Sequence, residues 1–169
     1  MAATPELQPS GHLDEARKIV RKNMYWAMGI GAVPVPIVDL VGIAAFQVKA
    51  IKELSDLYGV TFYEHKVKNV IASLVSGFTA PYVAGFLFSS VVKFLPGLGT
   101  IMGYASVPVA AGAVTYAMGK VFVQHFEAGG TFLDLNPDKV REYFNSQLQE
   151  GAGMAEDASK GAKKTAAAS

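Results

Sequence analysis

Along most of the chain, apolar residues recur every three to four positions, which is the spacing of a helix face. The pattern predicts helices that begin near Ser10, Ile37, Thr61 and Asn136, and another helix that includes the 94–119 stretch and continues past Lys120 to the pair 129–130. No alternating pattern of useful length indicates a strand. We therefore predict an all-α fold, a compact helical bundle whose longer helices are apolar and broken by glycine and proline.

Glycine and proline predict where these helices end. Pro34 and Pro36 predict a break, because proline inside a helix costs about 3 kcal/mol. Gly59 is expected to end the second helix in the left-handed conformation that glycine adopts readily. The pair 129–130 is expected to end a later helix, and Gly151 the last one.

Small and polar residues dominate both ends of the chain. Residues 1–9 and 151–169 hold too few large apolar side chains to order themselves, so both are predicted to be flexible tails. The 169 residues are enough to bury a core without a metal or a disulfide. A single helical domain is expected over 10–150.

From Asn69 to Gly119 the only charged residue is Lys93, although 17% of the chain is charged. The parts before and after Lys93 each exceed the about 20 apolar residues that a bilayer crossing needs. Pro96-Gly97 predicts a turn between them. The pattern indicates a membrane hairpin with its tip at this turn.

The composition of this stretch also fits a second interpretation. Strong membrane insertion relies on Leu, Ile, Phe and Val, whereas here Gly, Ala, Ser, Thr and Pro are frequent. Small residues let helices approach closely both in membranes and in a tight soluble bundle. The hypotheses are a cell-membrane protein with its charged face towards the cytoplasm and, as the alternative, a cytoplasmic soluble bundle.

Two parts of the sequence about 70 residues apart look alike. Each begins with Gly-x-Gly before an apolar stretch and ends in a polar turn followed by Thr-Phe. The matching segments are Gly29-Ile30-Gly31 with Gly97-Leu98-Gly99, and Gly59-Val60-Thr61-Phe62 with Gly129-Gly130-Thr131-Phe132. The similarity predicts two related helical units, with chance as the alternative.

Composition excludes several kinds of chemistry. The 15 Lys and Arg against 14 Asp and Glu argue against a nucleic-acid partner, and the absence of cysteine excludes disulfides and thiolate zinc sites. His12, His65 and His125 are not spaced as metal ligands on a helix. No phosphate-binding loop or nucleophile motif is present. We expect no enzyme activity, no metal and no cofactor.

Asp39 is the one charged residue between Asn23 and Val48. An acid within a membrane segment is costly and is a candidate for a transport role. Three residues after Pro36, however, it falls in the first turn of the helix predicted from Ile37, where it faces free N–H groups. Helix-start stabilisation is the favoured interpretation, and a pore or transporter subunit is the alternative.

Several motifs together resemble the YcjF-like family of uncharacterised bacterial proteins. The resemblance covers roughly 17–132 and rests on Val33-Pro34-Val35-Pro36-Ile37-Val38-Asp39, Gln47-Val48-Lys49, Leu54-Ser55-Asp56-Leu57-Tyr58-Gly59 and Lys93-Phe94-Leu95-Pro96-Gly97-Leu98-Gly99. The signature positions are Pro34, Pro36, Asp39, Gln47, Lys49, Tyr58, Gly59, Pro96, Gly97 and Gly99.

Members of that family are often fused to GTPase domains or encoded beside them, and many are predicted membrane proteins. The resemblance implies a membrane-associated helical module with a GTPase supplied in trans, and it transfers no catalytic residue. We expect a module that anchors or scaffolds a partner through Lys49, Lys52 and Asp56. A homo-oligomer is compatible with this hypothesis. A soluble helical adaptor is the alternative.

Overall fold

Helices are the regular elements of the part of the chain that the structure describes. This computed structural model describes residues 12–32, 38–75 and 99–167, with side chains at 12–32, 45–75 and 108–167. The elements are α1 (His12–Gly31), α2 (Val38–Tyr58), α3 (64–75), α4 (Gly99–Glu127) and α5 (Pro137–Ala167). The predicted all-α class is confirmed.

Helix α4 lies in the middle of the bundle and packs against α1, α2 and α5. Gly119 of α4 lies against Val20 of α1, while Gly31 at the end of α1 lies against Pro108 near the start of α4. Because high numbers on one helix meet low numbers on the other, α1 and α4 are antiparallel. We call the end where α1 finishes the Gly31 end. A connection of only six residues brings α2 into the bundle at that end.

One hydrophobic core joins the helices. Its largest fully buried side chains come from α1, α2, α3, α4, α5 and the loop before α5: Val20, Met24, Ile51, Leu54, Val67, Leu74, Met118, Val121, Phe122, Phe132 and Phe144. The rings of Phe122, Phe126 and Phe132 contact one another, with centroids 5.3 to 5.8 Å apart. The apolar faces that the sequence predicts for the helices thus pack together in one core.

The turns after α2 and α4 have the same geometry. Gly59 and Gly129 have positive φ angles of 65° and 78°. In the first turn the Val60 N–H donates to the carbonyl five residues earlier, at 2.9 Å, and the Gly130 N–H does the same in the second. These are the bonds of a Schellman motif. The predicted roles of both glycines are confirmed, and the matching turns agree with the repeat seen in the sequence.

The predicted end of the last helix at Gly151 is wrong, because α5 continues to Ala167. Gly151 is buried and does not end the helix. A Cβ there would lie 3.1 Å from the Ala113 Cα and 3.0 Å from the Tyr116 ring, so glycine permits α5 to approach α4 closely. Ala155 is also fully buried one turn later.

The start of α3 also differs from the prediction. The sequence Thr61-Phe62-Tyr63-Glu64 predicts a cap at Thr61, but the first helical bond runs from the Val67 N–H to the Tyr63 carbonyl. Glu64 instead forms an ion pair with Lys68 at 2.6 Å. The spacing of four residues on a helix favours this pair.

In the described ranges, no helix is both long enough and apolar enough to cross a bilayer. The second arm of the predicted hairpin falls largely on α4, where Pro108 and many small residues occur and where residues 111–113 and 115–119 are buried in the bundle. A spanning helix on α4 is therefore not supported. The predicted tail 1–9 and hairpin turn 93–98 lie outside the described residues.

Candidate interaction surface

Lys49, Lys52 and Asp56 lie together on the exposed face of α2. Their spacing of three and four residues places them on one side of the helix. Lys52 Nζ and Asp56 Oδ2 form an ion pair of 2.8 Å between side chains that are more than half exposed. The geometry thus gathers the predicted partner residues into one charged surface, which we call the partner face.

Glu53 connects the partner face to α1. Its Oε2 accepts hydrogen bonds from Lys22 Nζ at 2.8 Å and from Asn23 Nδ2 at 3.0 Å, and its Oε1 lies 4.0 Å from Lys49 Nζ. Asn23 is buried and also donates to the Ile19 carbonyl. Partial burial raises the pKa of Glu53, but the hydrogen bonds from Lys22 and Asn23 outweigh it and hold the pKa below its usual range.

Three of the signature residues that the structure describes contribute to the fold itself. Gln47 is buried in the core, Gly59 forms the turn after α2, and Gly99 begins α4. Asp39 lies in the first turn of α2, as the sequence predicts. Its side chain and the residues Pro34, Pro36, Pro96 and Gly97 are not among those described.

Tyr58 joins α2 to α4 through a polar contact. Its hydroxyl donates to Glu127 Oε1 at 2.5 Å, and its ring contacts those of His12 and Phe126. Burial, followed by the hydrogen bond and charge of Glu127, raises the pKa of Tyr58 well above its usual range. Tyr58 therefore remains a neutral donor that fixes the end of α2.

A shallow groove of about 300 Å³ lies between α1, α4 and α5. It is lined by Leu13, Arg17, Val20, Lys120, Val123, Gln124, Glu127 and Tyr143. On its α4 side, the Lys120 ammonium lies 5.9 Å from the centre of the Tyr116 ring. The groove combines an apolar floor with charged rims and contains no paired nucleophile and base.

The loop before α5 holds a second polar cluster. Asp134 Oδ1 accepts hydrogen bonds from the Thr131 hydroxyl at 2.7 Å and from the Thr131 N–H at 2.6 Å, while His125 Nε2 lies 2.8 Å from the Thr131 carbonyl. The hydroxyl and N–H of Thr131 lower the pKa of Asp134 to about 2. These bonds close the loop on itself.

Over the residues described, no three His, Asp or Glu side chains gather into a possible metal site. The polar clusters found there instead connect helices or close turns.

Sequence reasoning missed two exposed aromatic residues on α1. Tyr25 and Trp26 are 50% and 60% exposed, although both lie within the low-charge stretch that begins at Asn23. Lys18 and Lys22 are polar residues one turn apart on α1. The next turn of the same side holds Tyr25 and Trp26, so helical spacing could have placed both on the outer face.

The described residues form an all-α bundle with an exposed, ion-paired charged surface on α2. Residues 10–152 match the protein family described as a domain of unknown function, DUF697. The chain belongs to this family.

A relative named magnetosome membrane protein 22, from Magnetospirillum gryphiswaldense, is 40% identical to the chain over 141 residues. The match covers 83% of this chain and 72% of that protein. No solved structure matches the chain.

Proposed function

We propose that this protein is a membrane-associated helical module that anchors or scaffolds a partner protein. The observation that carries the proposal is the 40% identity, over 83% of the chain, to a protein named as a magnetosome membrane protein. Within the nearly uncharged sequence from Asn69 to Gly119, the part that precedes the buried residues of α4 gives a physical reason for membrane contact. The proposal assigns no catalytic reaction to the chain.

The membrane contact is proposed to involve the uncharged hairpin sequence, with the charged face of the bundle towards the cytoplasm. The arrangement of the helices supports this proposal. Gly31 and Pro108 belong to the two low-charge parts of the sequence, and they lie against each other at the same end of the bundle. Because Pro108 belongs to the hairpin sequence, membrane contact at this end keeps the basic residues of α1 and the partner face on the cytoplasmic side.

The partner is proposed to be a GTPase supplied in trans that binds the partner face. Support comes from the exposure of Lys49, Lys52 and Asp56 and from the resemblance to a family associated with GTPases. An exposed ion pair contributes only about 0–1 kcal/mol to folding, so these side chains can exchange their partners on binding at little cost in stability.

Fractionation of cells that contain the full-length protein tests the membrane part. The protein should sediment with membranes and remain there after a carbonate wash, which removes proteins held by charge alone. Recovery of the full-length protein in the high-speed supernatant before any wash would defeat the proposal.

Affinity capture after detergent solubilisation tests the partner face. A GTPase should co-purify with the wild type and be at least tenfold depleted with Lys49→Gln, Lys52→Gln and Asp56→Asn combined. The matched control is Glu156→Gln with Lys160→Gln, which removes another exposed pair at a spacing of four residues. No enriched GTPase, or equal loss in the control, would count against the proposed partner.

A further inference from the structure

The outer face of α1 changes character along its length. Asp14 and Glu15 are exposed in its first turn, and basic residues follow in the middle of the helix. Tyr25 and Trp26 are then 50% and 60% exposed. The order from the start of the helix towards the Gly31 end is therefore acidic, basic and aromatic.

Lys18, Arg21 and Lys22 are the exposed basic residues next to the two aromatic ones. Positions 18, 22, 25 and 26 follow helical spacing, so they share one side of α1. We call Lys18, Arg21, Lys22, Tyr25 and Trp26 the aromatic–basic patch. Lys22 is held in place by its 2.8 Å contact with Glu53, while its side chain remains 51% exposed.

The position of the patch in the bundle matters as much as its composition. The two aromatic residues lie nearer the Gly31 end than the three basic ones do. Beyond them α1 has no charged residue, and the described part of α4 before Lys120 has none either. Along these two helices, the aromatic pair thus lies between the basic residues of α1 and the uncharged parts of α1 and α4.

The order of residues along α1 corresponds to one side of a bilayer. Tryptophan and tyrosine prefer the headgroup level, where their rings are partly buried and their polar atoms stay wet. Lysine and arginine near the surface bind anionic headgroups. The rise from Lys22 to Trp26 is about 6 Å, comparable with a headgroup layer of about 5–8 Å.

We propose that the aromatic–basic patch is a lipid contact: it lies on an anionic bilayer surface with Tyr25 and Trp26 at the headgroup level. This inference rests on the proposed membrane association and names the lipid class and the residues that bind it. Charge complementarity decides the occupant, because three cations beside two amphipathic rings suit anionic headgroups better than they suit an identical basic patch on a second copy.

Trp26 is the single tryptophan of the chain, so its fluorescence reports on the patch alone. The full-length protein is purified in detergent, transferred to buffer, and titrated with vesicles of phosphatidylglycerol and phosphatidylcholine or of phosphatidylcholine alone. Co-sedimentation is measured on the same samples. Trp26 emission should move to shorter wavelength with the anionic vesicles and be quenched when their lipids carry bromine near the headgroup.

Removing charge from the patch should weaken this response. Each basic residue near an anionic surface contributes about 1 kcal/mol, a factor of about five in affinity, so Lys18→Gln with Arg21→Gln should raise the lipid concentration at half-shift about 25-fold. This variant keeps Lys22 and its contact with Glu53. The control Lys66→Gln with Lys139→Gln removes two exposed cations elsewhere. It should change the lipid concentration at half-shift by less than about twofold.

The outcomes separate the inference from the proposed function. If the protein sediments with vesicles while Trp26 emission stays constant, the inference is overturned and membrane association stands. If neither occurs, both are overturned. A shift that depends on protein concentration without vesicles would assign the patch to a second copy. Equal weakening in the control variant would mean that general charge, rather than this patch, attracts the lipid.

Discussion

Gly119 shows how a single glycine sets the distance between two helices. A Cβ added there would lie 2.7 Å from Val20 Cγ2 and 3.0 Å from Cγ1. Val20 is buried and branched at Cβ, so it has little freedom to move aside. The close approach of α1 and α4 therefore depends on the missing side chain.

Gly119→Ala should destabilise the fold. Overpacking of a core costs about 1–3 kcal/mol, and the better helix propensity of alanine returns up to about 1 kcal/mol. We expect a net loss of about 1–2 kcal/mol in the free energy of unfolding, measured by chemical denaturation.

The control for this prediction is Gly153→Ala, where a Cβ on α5 would meet nothing within 4 Å. That change should stabilise the protein by about 0.5–1 kcal/mol. Equal effects at the two glycines would contradict the packing argument.

The contribution of Asp134 to the stability of the fold should depend on pH. Its carboxylate has a pKa near 2 rather than the ordinary 3.8, because the hydroxyl and N–H of Thr131 donate to it. A lowered pKa means that the charged form stabilises the fold above pH 4 and that this contribution disappears as the pH falls towards 2.

Asp134→Asn should therefore be less stable than the wild type at pH 6, and the difference should vanish near pH 2. Denaturation curves at several pH values measure it. Thr131→Val should raise the pH at which the contribution is lost, as measured by NMR titration of Asp134. Parallel stability profiles for the wild type and Asp134→Asn would refute the assignment.

Several helix starts and ends could be predicted from the sequence, because they depend on residues at the helix end itself. Gly59 and Gly129 were predictable because a left-handed residue after a helix favours glycine, and Asn136 was predictable because its side chain accepts the Asp138 N–H. The role of Gly151 was predicted wrongly. Glycine is needed there because α5 packs closely against α4, and the sequence of α5 alone does not show this contact.

The connection between α1 and α2 can be measured by a double-mutant cycle on Asn23 and Glu53. Hydrogen bonds to a charged group contribute about 1.5–3 kcal/mol when shielded, and Glu53 is partly exposed. Asn23→Ala and Glu53→Ala should show a coupling energy of about 1–2 kcal/mol. The exposed pair Lys52 and Asp56 serves as the control and should couple by about 0.3–0.5 kcal/mol.

A coupling at Asn23 no larger than that of the exposed pair would show that Glu53 does not hold the two helices together.

The last part of α5 should contribute little to stability. In the described part of the helix the buried residues end at Ala155, and residues after 160 are exposed. A chain that ends at residue 157 should have a free energy of unfolding within about 0.5 kcal/mol of that of the full-length protein, as expected for a surface change. A chain that ends at residue 150 loses Gly151 and Ala155 and should be markedly less stable. Similar losses for both truncations would contradict this division of the helix.

At the scale of the whole molecule, the sequence predicts the fold class better than it predicts the surfaces. Helical spacing identified the all-α bundle because burial of one helix face determines that spacing. The uncharged stretch was ambiguous because Gly, Ala, Ser and Thr suit both membrane helices and close soluble packing. The described part of α4 contributes buried residues to the core, including Phe122, whereas Trp26 was overlooked because exposure depends on the neighbouring helices.

Flotation distinguishes membrane association from aggregation, because aggregates sediment with membranes but do not rise with them. Lysate containing the full-length protein is placed beneath a density gradient and centrifuged to equilibrium. A membrane-associated protein should rise with the membrane lipids and return to the bottom when detergent dissolves them. Full-length protein that stays at the bottom with the soluble proteins, with or without detergent, would contradict membrane association.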